Sequence, residues 1–246
     1  MIKILISFLS FTFLFAQADD MSVQDIIKAM DKNLNAKSRV MTSKMVVHGR
    51  RASRTIESRS WVVGIDLAFT EYLSPPREAG TKILKDGDKL WTYSPQTDRV
   101  IQISGHMLRQ SVMGSDMSYK DMMEDRPLMD LYEATLESSV EINGRDHWIV
   151  LLTAKAKGLS YPMRRAWIDK EYLLPMKEEL YAKSGKLLKA STMDGIKKVQ
   201  GRWFPSRFIF KDELKRNSKG TEWIIEEIEF DTEIPDSRFL KARLRK

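Results

Sequence analysis

The carboxylates that could do acid–base chemistry are concentrated in one stretch of the sequence, residues 105–130. Asp116, Asp121, Glu124 and Asp125 lie close together there. Two carboxylates roughly 5–9 Å apart across a cleft are the arrangement that hydrolyses glycosidic bonds. The same residue types are common at helix N-termini and on solvent-facing surfaces, where they do no chemistry. We therefore keep a hydrolase that uses Asp116 and Asp121 as a remote alternative.

Other catalytic and metal-binding patterns are missing from the sequence. The three histidines, His48, His106 and His147, are far apart and belong to no zinc motif. The sequence has no cysteine, no Gly-x-Ser-x-Gly nucleophile elbow and no glycine-rich phosphate loop. The run Lys-Asp-Gly-Asp-Lys at 85–89 lacks the further acidic ligands of a calcium loop and is typical of a hairpin turn. We therefore predict no catalytic residue, no metal and no cofactor.

The composition is that of an ordinary folded protein. The chain has 246 residues, of which 42% are hydrophobic and 30% are charged, with 8 Pro and 12 Gly. These values exclude collagen-like, coiled-coil and disordered classes. The formal net charge is +7, and the one cationic run is Lys-Ala-Arg-Leu-Arg-Lys at 241–246. We predict no nucleic-acid partner; the run is either a solvated tail or a contact for acidic lipid headgroups.

Residues 1–18 have the features of a secretory signal peptide. A lysine lies near the N-terminus, residues 4–15 are almost wholly apolar, and Ala-Gln-Ala at 16–18 provides the small residues of a cleavage site. Twelve helical residues at about 1.5 Å each span roughly 18 Å, less than the roughly 30 Å hydrocarbon core of a bilayer. We therefore predict cleavage after Ala18 and export across the inner membrane, in preference to an uncleaved anchor.

The elements after the signal peptide are one helix and many short strands. Ser22 is a suitable N-cap, and apolar residues at helical spacing predict a helix over 22–35. The apolar period then changes to two, and turn residues separate the segments. So many antiparallel strands must curl into a barrel or split into two sheets. No linker interrupts residues 19–246, so we expect one domain. Strands are predicted at 40–49, 54–64, 67–73, 81–85, 89–93, 99–103, 131–142, 146–155, 164–169, 175–182, 186–199, 203–211 and 221–230.

The exception is a helical insert at about 105–130, where the apolar period returns to 3.6. Ser118 and Asp121 form a weak capping box. Six of the 14 methionines lie here, and methionine suits both an adaptable apolar surface and ordinary core that closes a barrel end. Gly105 and Gly114 are candidate hinges of a movable lid, or simply helix ends.

Several segments resemble the outer-membrane lipoprotein-sorting proteins of the LolA-like superfamily. They begin with Tyr-Leu-Ser-Pro-Pro-Arg-Glu-Ala-Gly-Thr-Lys-Ile-Leu at 72–84, followed by Leu-Trp-Thr-Tyr-Ser-Pro at 90–95 and Ser-Val-Met-Gly-Ser-Asp at 111–116. The resemblance continues in order through the rest of the chain, at 166–170, 174–177, 201–205 and 229–235.

The resemblance implies a mainly β fold: a half-open antiparallel β-barrel with an N-terminal helix and a helical lid insert covering the concave face. It also implies a periplasmic carrier, not an enzyme, that shelters acyl chains of a lipoprotein or lipid between the inner and outer membranes. The implied partners are that cargo, an inner-membrane export system of the ABC or RND type, and a membrane in transient contact. We expect a monomer. Arg54 and Arg59 are candidates for the arginine that latches the lid in this family.

The predicted lipid-binding residues divide between the lid and the barrel. Trp61 and Trp91 are expected on the barrel side. The lid is expected to contribute Met107, Leu108, Met113, Met117, Met122 and Met123. Two other functions stay open: an envelope sensor that binds lipid or lipoprotein and regulates a membrane partner, and, more remotely, an envelope hydrolase.

Overall fold

The computed structural model describes residues 21–124, 126–216 and 218–246. The predicted signal peptide, 1–18, lies outside the described residues. The predicted N-terminal helix, α1, is confirmed at Val23–Leu34. The Ser22 side chain accepts a hydrogen bond from the backbone N–H of Asp25, 3.2 Å away, and so caps the first turn.

Thirteen strands form one antiparallel sheet in the described part of the chain. The alternation of apolar and polar residues predicts these strands closely, because each buries one face. Their bounds are β1 Ser38–His48, β2 Ser53–Val63, β3 Leu67–Ser74, β4 Lys82–Asp86, β5 Lys89–Ser94, β6 Arg99–Ile103, β7 Tyr132–Ile142, β8 Arg145–Ala154, β9 Met163–Asp169, β10 Pro175–Tyr181, β11 Leu187–Val199, β12 Arg202–Asp212 and β13 Thr221–Phe230.

The strand order makes the sheet half-open, as predicted. The order is β6-β5-β4-β3-β2-β1-β13-β12-β11-β10-β9-β8-β7, so the first and last strands of the chain, β1 and β13, pair at its centre. The two edge strands, β6 and β7, are not paired with each other, and the chain between them is the insert. A curved sheet of this size leaves a concave face that other elements must cover.

The insert is helical, but in short 3₁₀ turns rather than a long α-helix. The turns are Gly105–Arg109, Val112–Gly114 and Asp121–Met123, and a short helix, α2, follows at Leu128–Leu131. Continuous helix is interrupted because the chain takes left-handed backbone at Met113, with φ +49°, and at the following glycine, with φ +72°.

The capping box predicted in the insert is present. The Ser118 N–H donates to Asp121 Oδ2 over 2.6 Å, and the Asp121 N–H donates to Ser118 Oγ over 3.2 Å. These reciprocal bonds begin the last 3₁₀ turn.

Two elements share the concave face. Helix α1 packs against β7–β9 through Ile26, Ile27 and Met30, which are fully buried against residues such as Tyr132 and Val150. The insert covers the other arm, where Met107, Leu108, Met113, Tyr119, Met122 and Met123 pack against Ile56, Tyr72, Ile83, Leu90 and Ile103. Each fully buried large apolar side chain contributes on the order of 1.5–3 kcal/mol.

The opposite face of the β2–β5 arm is covered as well. Phe239 and Leu244, from the 3₁₀ turns Asp236–Phe239 and Lys241–Arg245, pack against Phe69 and Leu84 there. This arm therefore carries apolar residues on both faces. Across residues 21–124, 126–216 and 218–246, no helix is long and apolar enough to cross a membrane.

Candidate functional site

An apolar cavity of about 170 Å³ lies between the insert and the concave face of β1–β3. The insert forms its roof with Val112, Met117 and Met122. The sheet forms its floor, and Asp121 and Trp223 reach its rim. The sheet residues that line it are Arg39, Met41, Met45, Ser58, Ser60, Val62, Ala68, Thr70 and Tyr72.

The cavity exists because its floor is made of small residues. Ser58, Ser60 and Val62 are successive inward-facing positions of β2, and Ala68 and Thr70 are their neighbours on β3. The hydroxyls of this floor are satisfied within the sheet: Ser60 Oγ and Thr70 Oγ1 are 2.9 Å apart and hydrogen-bonded. These two hydroxyls therefore present no unpaired polar group to an apolar ligand.

The volume sets how much hydrocarbon the closed form accommodates. An engineered cavity of about 150 Å³ takes up benzene, a six-carbon ligand. A cavity of about 170 Å³ therefore holds roughly six carbons of an acyl chain. A longer chain must displace the insert, whose Met117 and Met122 form the roof.

The predicted lipid-binding residues divide between the two faces of the sheet. Of the six predicted insert residues, Met117 and Met122 line the cavity, whereas Met107, Leu108, Met113 and Met123 pack against the sheet beside it. The structure does not bring Trp61 and Trp91 to these residues. Both pack with Phe239 and Leu244 on the opposite face, because Trp61 alternates with the inward-facing Ser60 and Val62.

A polar chamber of about 280 Å³ adjoins the apolar cavity and shares Met117 and Asp121 with it. It lies between the insert and the concave face of β9–β12. Its charged and polar lining residues are Asp116, Asp121, Glu124, Tyr161, Arg164, Glu178, Lys189 and Ser191.

Two carboxylates tie the insert to the walls of this chamber. Asp121 forms an ion pair with Lys189 and accepts a 2.6 Å hydrogen bond from the Tyr161 hydroxyl. Glu124 Oε1 accepts a 2.6 Å bond from Ser160 Oγ, and its other oxygen lies 3.6 Å from Arg164 Nη2. Burial alone would raise the pKa of Asp121, but Lys189 and these hydrogen bonds hold it below its usual range.

Asp116 is a third residue that attaches the insert to the sheet. Its side chain accepts 2.9 Å hydrogen bonds from Thr221 Oγ1 and Ser218 Oγ, and Lys215 Nζ lies 3.5 Å away. The residue is only 5% exposed. Because both of its carboxylate oxygens are occupied, Asp116 anchors the insert to the chain between the end of β12 and the start of β13.

The two candidate latch arginines have different surroundings. Arg54 donates a hydrogen bond to the carbonyl oxygen of Met113 in the insert. Arg59 instead lies 5.2 Å from the ring centroid of Trp61 on the opposite face. Of the two, Arg54 is the one positioned to hold the insert closed.

Comparisons with known proteins agree with this geometry. A family model described only as an uncharacterized protein matches residues 64–246, most of the chain. A LolA superfamily protein from Nitrosomonas europaea is 22% identical, with a TM-score of 0.75 over 91% of this chain and 99% of that chain. The chain belongs to the family of that model, and it shares the fold of the LolA superfamily protein.

Two further solved structures share the LolA-like fold. An outer membrane lipoprotein-sorting protein domain from Vibrio parahaemolyticus is 22% identical, with a TM-score of 0.77 over 94% of this chain and 100% of its own. A DUF1329 family protein from Desulfovibrio piger is 23% identical, with a TM-score of 0.81 over 89% of this chain and 96% of its own. No curated protein matches the chain.

Both candidate hinge glycines have left-handed backbone. Gly105 has φ +54° and open space around its missing side chain. Gly114 has φ +72°, and a Cβ there would lie 3.3 Å from Arg54 Nη2. Both positions favour glycine for its backbone freedom; their role as hinges stays a prediction.

Asp31 of α1 makes the stability of the fold depend on pH. It accepts a 3.0 Å hydrogen bond from the Leu128 N–H at the start of α2. Burial raises its pKa from 3.8 to about 6, and Glu178 and Asp130 add to the rise. Between pH 4 and 6 the folded state therefore holds a proton that the unfolded chain has released, so lowering the pH through this window stabilises the fold.

We expect Asp31→Asn to stabilise the protein at pH 7.5, because asparagine keeps an acceptor for Leu128 without a buried charge. After allowance for solvent screening of this partly exposed group, the gain is on the order of 1 kcal/mol. The gain should shrink at pH 4.5, where wild-type Asp31 is protonated in the fold, and vanish only below about pH 3.8, where the unfolded chain is protonated as well. Denaturant unfolding of both proteins at the two pH values measures it, and a pH-independent difference would contradict the assignment.

Proposed function

We propose that this protein is a periplasmic carrier that shelters the acyl chains of a lipoprotein or lipid between the inner and outer membranes. The observation that carries the proposal is the apolar cavity between the concave face and the insert, roofed by Met117 and Met122. Exposing a sixteen-carbon chain to water costs on the order of 13 kcal/mol, at about 0.8 kcal/mol per methylene. A protein that buries the chain removes this barrier to crossing an aqueous space.

The way the insert is held supports reversible loading. Beneath the roof it is attached by polar side-chain contacts at Asp121 and Glu124 and by Arg54. Such contacts exchange with water or ligand at a small net cost, about 0.5–1.5 kcal/mol for a typical hydrogen bond. The roof can therefore leave the floor without unfolding the sheet, which a carrier needs for both uptake and release.

The same contacts favour binding without a reaction. Asp116 is hydrogen-bonded through both carboxylate oxygens, and Asp121 is paired with Lys189. Neither is poised as the proton donor that a hydrolase requires. We therefore propose a carrier rather than an enzyme.

The remaining parts of the proposal concern location and partners. The sequence of residues 1–18 supports export with cleavage after Ala18, and residues 19–246 act as one monomeric domain. The cargo is received from an inner-membrane export system of the ABC or RND type and delivered through transient contact with a membrane. No nucleic acid takes part.

Transfer between two vesicle populations tests the proposal. Donor vesicles carry a fluorescent acyl lipid with a quencher, and acceptor vesicles carry neither. We expect the protein, expressed without residues 1–18, to accelerate the rise in fluorescence in proportion to its concentration. No acceleration together with no lipid binding would overturn the carrier proposal. Tight binding without transfer would favour a sensor instead.

A further inference from the structure

Four charged residues of the polar chamber form ion pairs between the insert and the sheet. The two carboxylates, Asp121 and Glu124, belong to the insert. Their cationic partners, Lys189 on β11 and Arg164 on β9, belong to the sheet. When the insert leaves the concave face, the carboxylates leave with it and the cations stay behind.

Both cations are withdrawn from solvent. The side chains of Lys189 and Arg164 are 17% and 13% exposed. Arg164 keeps one partner on the sheet, because its Nε donates a 2.9 Å hydrogen bond to the Tyr132 hydroxyl. Leaving partly buried charges without a counter-ion is strongly unfavourable, so an open insert creates a demand for an incoming anion.

The sheet contributes one carboxylate of its own to the chamber, and its charge acts on Arg164. Glu178 on β10 also lines the chamber. Burial raises its pKa, against the opposing effect of Arg164, because burial disfavours the charged form of the carboxylate. Asp31 of α1 interacts with Arg164 in the same manner, and burial raises its pKa to about 6.

The contact between Glu124 and Arg164 is also loose. The 3.6 Å separation of Glu124 Oε2 and Arg164 Nη2 exceeds that of a charge-assisted hydrogen bond. Among the described residues, this buried oxygen has no hydrogen-bond donor. An anion with better geometry on Arg164 would therefore replace Glu124 at little cost.

The chamber and the apolar cavity are adjacent. Met117 and Asp121 line both of them. A ligand whose acyl chain enters the cavity beneath Met117 therefore places its head beside Asp121, at Lys189. We propose that the cargo is an acyl lipid with an anionic oxygen headgroup, phosphate or carboxylate, bound by Lys189 and Arg164, and that Asp121 and Glu124 occupy the place of that headgroup while the insert is closed. This inference rests on the proposed carrier function.

The test compares lipids that share one acyl chain. Palmitoyl lysophosphatidic acid and palmitate carry the two anionic groups, and monopalmitoylglycerol is the neutral reference. Dissociation constants come from displacement of a fluorescent acyl probe. We expect the wild type to bind at least one of the two anions about 10-fold more tightly than the neutral lipid, the effect of one or two hydrogen bonds to a charged group. The anion with the larger preference identifies the headgroup chemistry.

Substitutions test whether Lys189 in the chamber produces the preference for anionic lipids. Lys189→Gln should reduce the preference to about twofold or less, and Lys189→Arg should keep it. Lys197→Gln, at an exposed position of the same strand, is the matched control and should behave as wild type. Asp121→Asn should tighten anion binding, because it removes the competing carboxylate. Circular dichroism and thermal unfolding verify that each variant folds.

The experiment distinguishes failure of the headgroup proposal from failure of the carrier proposal. Equal affinity of the wild type for charged and neutral lipids would overturn the headgroup site and leave the carrier intact. A preference that survives unchanged in Lys189→Gln would also overturn it. Failure to bind any of the three lipids would overturn the carrier proposal together with this one.

Discussion

Filling the apolar cavity is expected to abolish acyl-chain binding and to leave the fold intact. In the variant Ser60→Phe with Thr70→Val, a phenyl ring occupies the space beneath Met117 and Met122. Replacing both hydroxyls together leaves neither without its hydrogen-bond partner. Excluding about six methylenes removes on the order of 5 kcal/mol of binding free energy. Titration with a fluorescent acyl probe should show affinity weakened by at least about 100-fold.

The matched control places the same ring on the other face of the same strand. Thr55 is exposed on β2 and lies on the opposite face from Ser60, five positions away. Thr55→Phe should therefore bind the probe as the wild type does. The thermal midpoint of the filled variant should stay within a few degrees of wild type, because overpacking costs about 1–3 kcal/mol and new apolar burial offsets part of it. Wild-type probe affinity in the filled variant would show that the cavity is not the binding site.

Removing the buried anchor of the insert has the second large effect. Asp116→Ala leaves Thr221, Ser218 and Lys215 without the carboxylate that they contact. Lys215 is 37% exposed, so the cost comes mainly from the two lost hydrogen bonds to a charged group, about 1.5–3 kcal/mol each. We expect a loss of that size in the free energy of unfolding, measured with denaturant. Limited proteolysis should then cleave the insert much faster than in the wild type.

Asp116→Asn provides the comparison for this prediction. Asparagine keeps one acceptor oxygen for Thr221 or Ser218, so we expect a smaller loss of stability than with alanine. A catalytic Asp116 would produce the opposite pattern: near-normal stability in both variants together with loss of a hydrolytic activity. That pattern would revive the hydrolase alternative.

The elements of this fold could be predicted from the sequence because each buries its apolar residues in a regular period. The Ser22 cap predicted α1, and the alternation in β7 and β8 predicted strands at 131–142 and 146–155 that agree within a residue. The capping box could be predicted in the same way, because Ser118 and Asp121 are only three residues apart. Patterns of this kind depend only on neighbours in the chain.

The inward face of each strand could not be predicted. In the β2–β5 arm the insert covers one face and the C-terminal turns cover the other. Apolar residues are therefore abundant on both faces, and the large Trp61 and Trp91 are on the face away from the insert. The cavity instead lies over small residues such as Ser60 and Ala68. Small residues alternating on adjacent strands are a signal for such a space, but only once the register is known.

The contacts that hold the insert could not be predicted from neighbouring residues in the sequence. Asp121 and Lys189 are separated by 68 positions in the chain, and Asp116 and Thr221 by 105. The acidic cluster was visible in the sequence, but its partners depend on how β9–β13 curve toward the insert. These residue types suit capping and solvent contact, and more remotely catalysis, and the contacts in the fold decide among them.

The central claim, that an acyl chain lies between the insert and the concave face, is tested most directly by photolabelling. Palmitate with a photoactivatable group at the end of its chain is bound, irradiated and located by peptide mass spectrometry. We predict saturable labelling of the insert around Met117 and Met122 and of β2 and β3 around Ser60, lost in the filled variant. Labelling confined to the opposite face around Trp91, or labelling that unlabelled palmitate does not displace, would contradict the account.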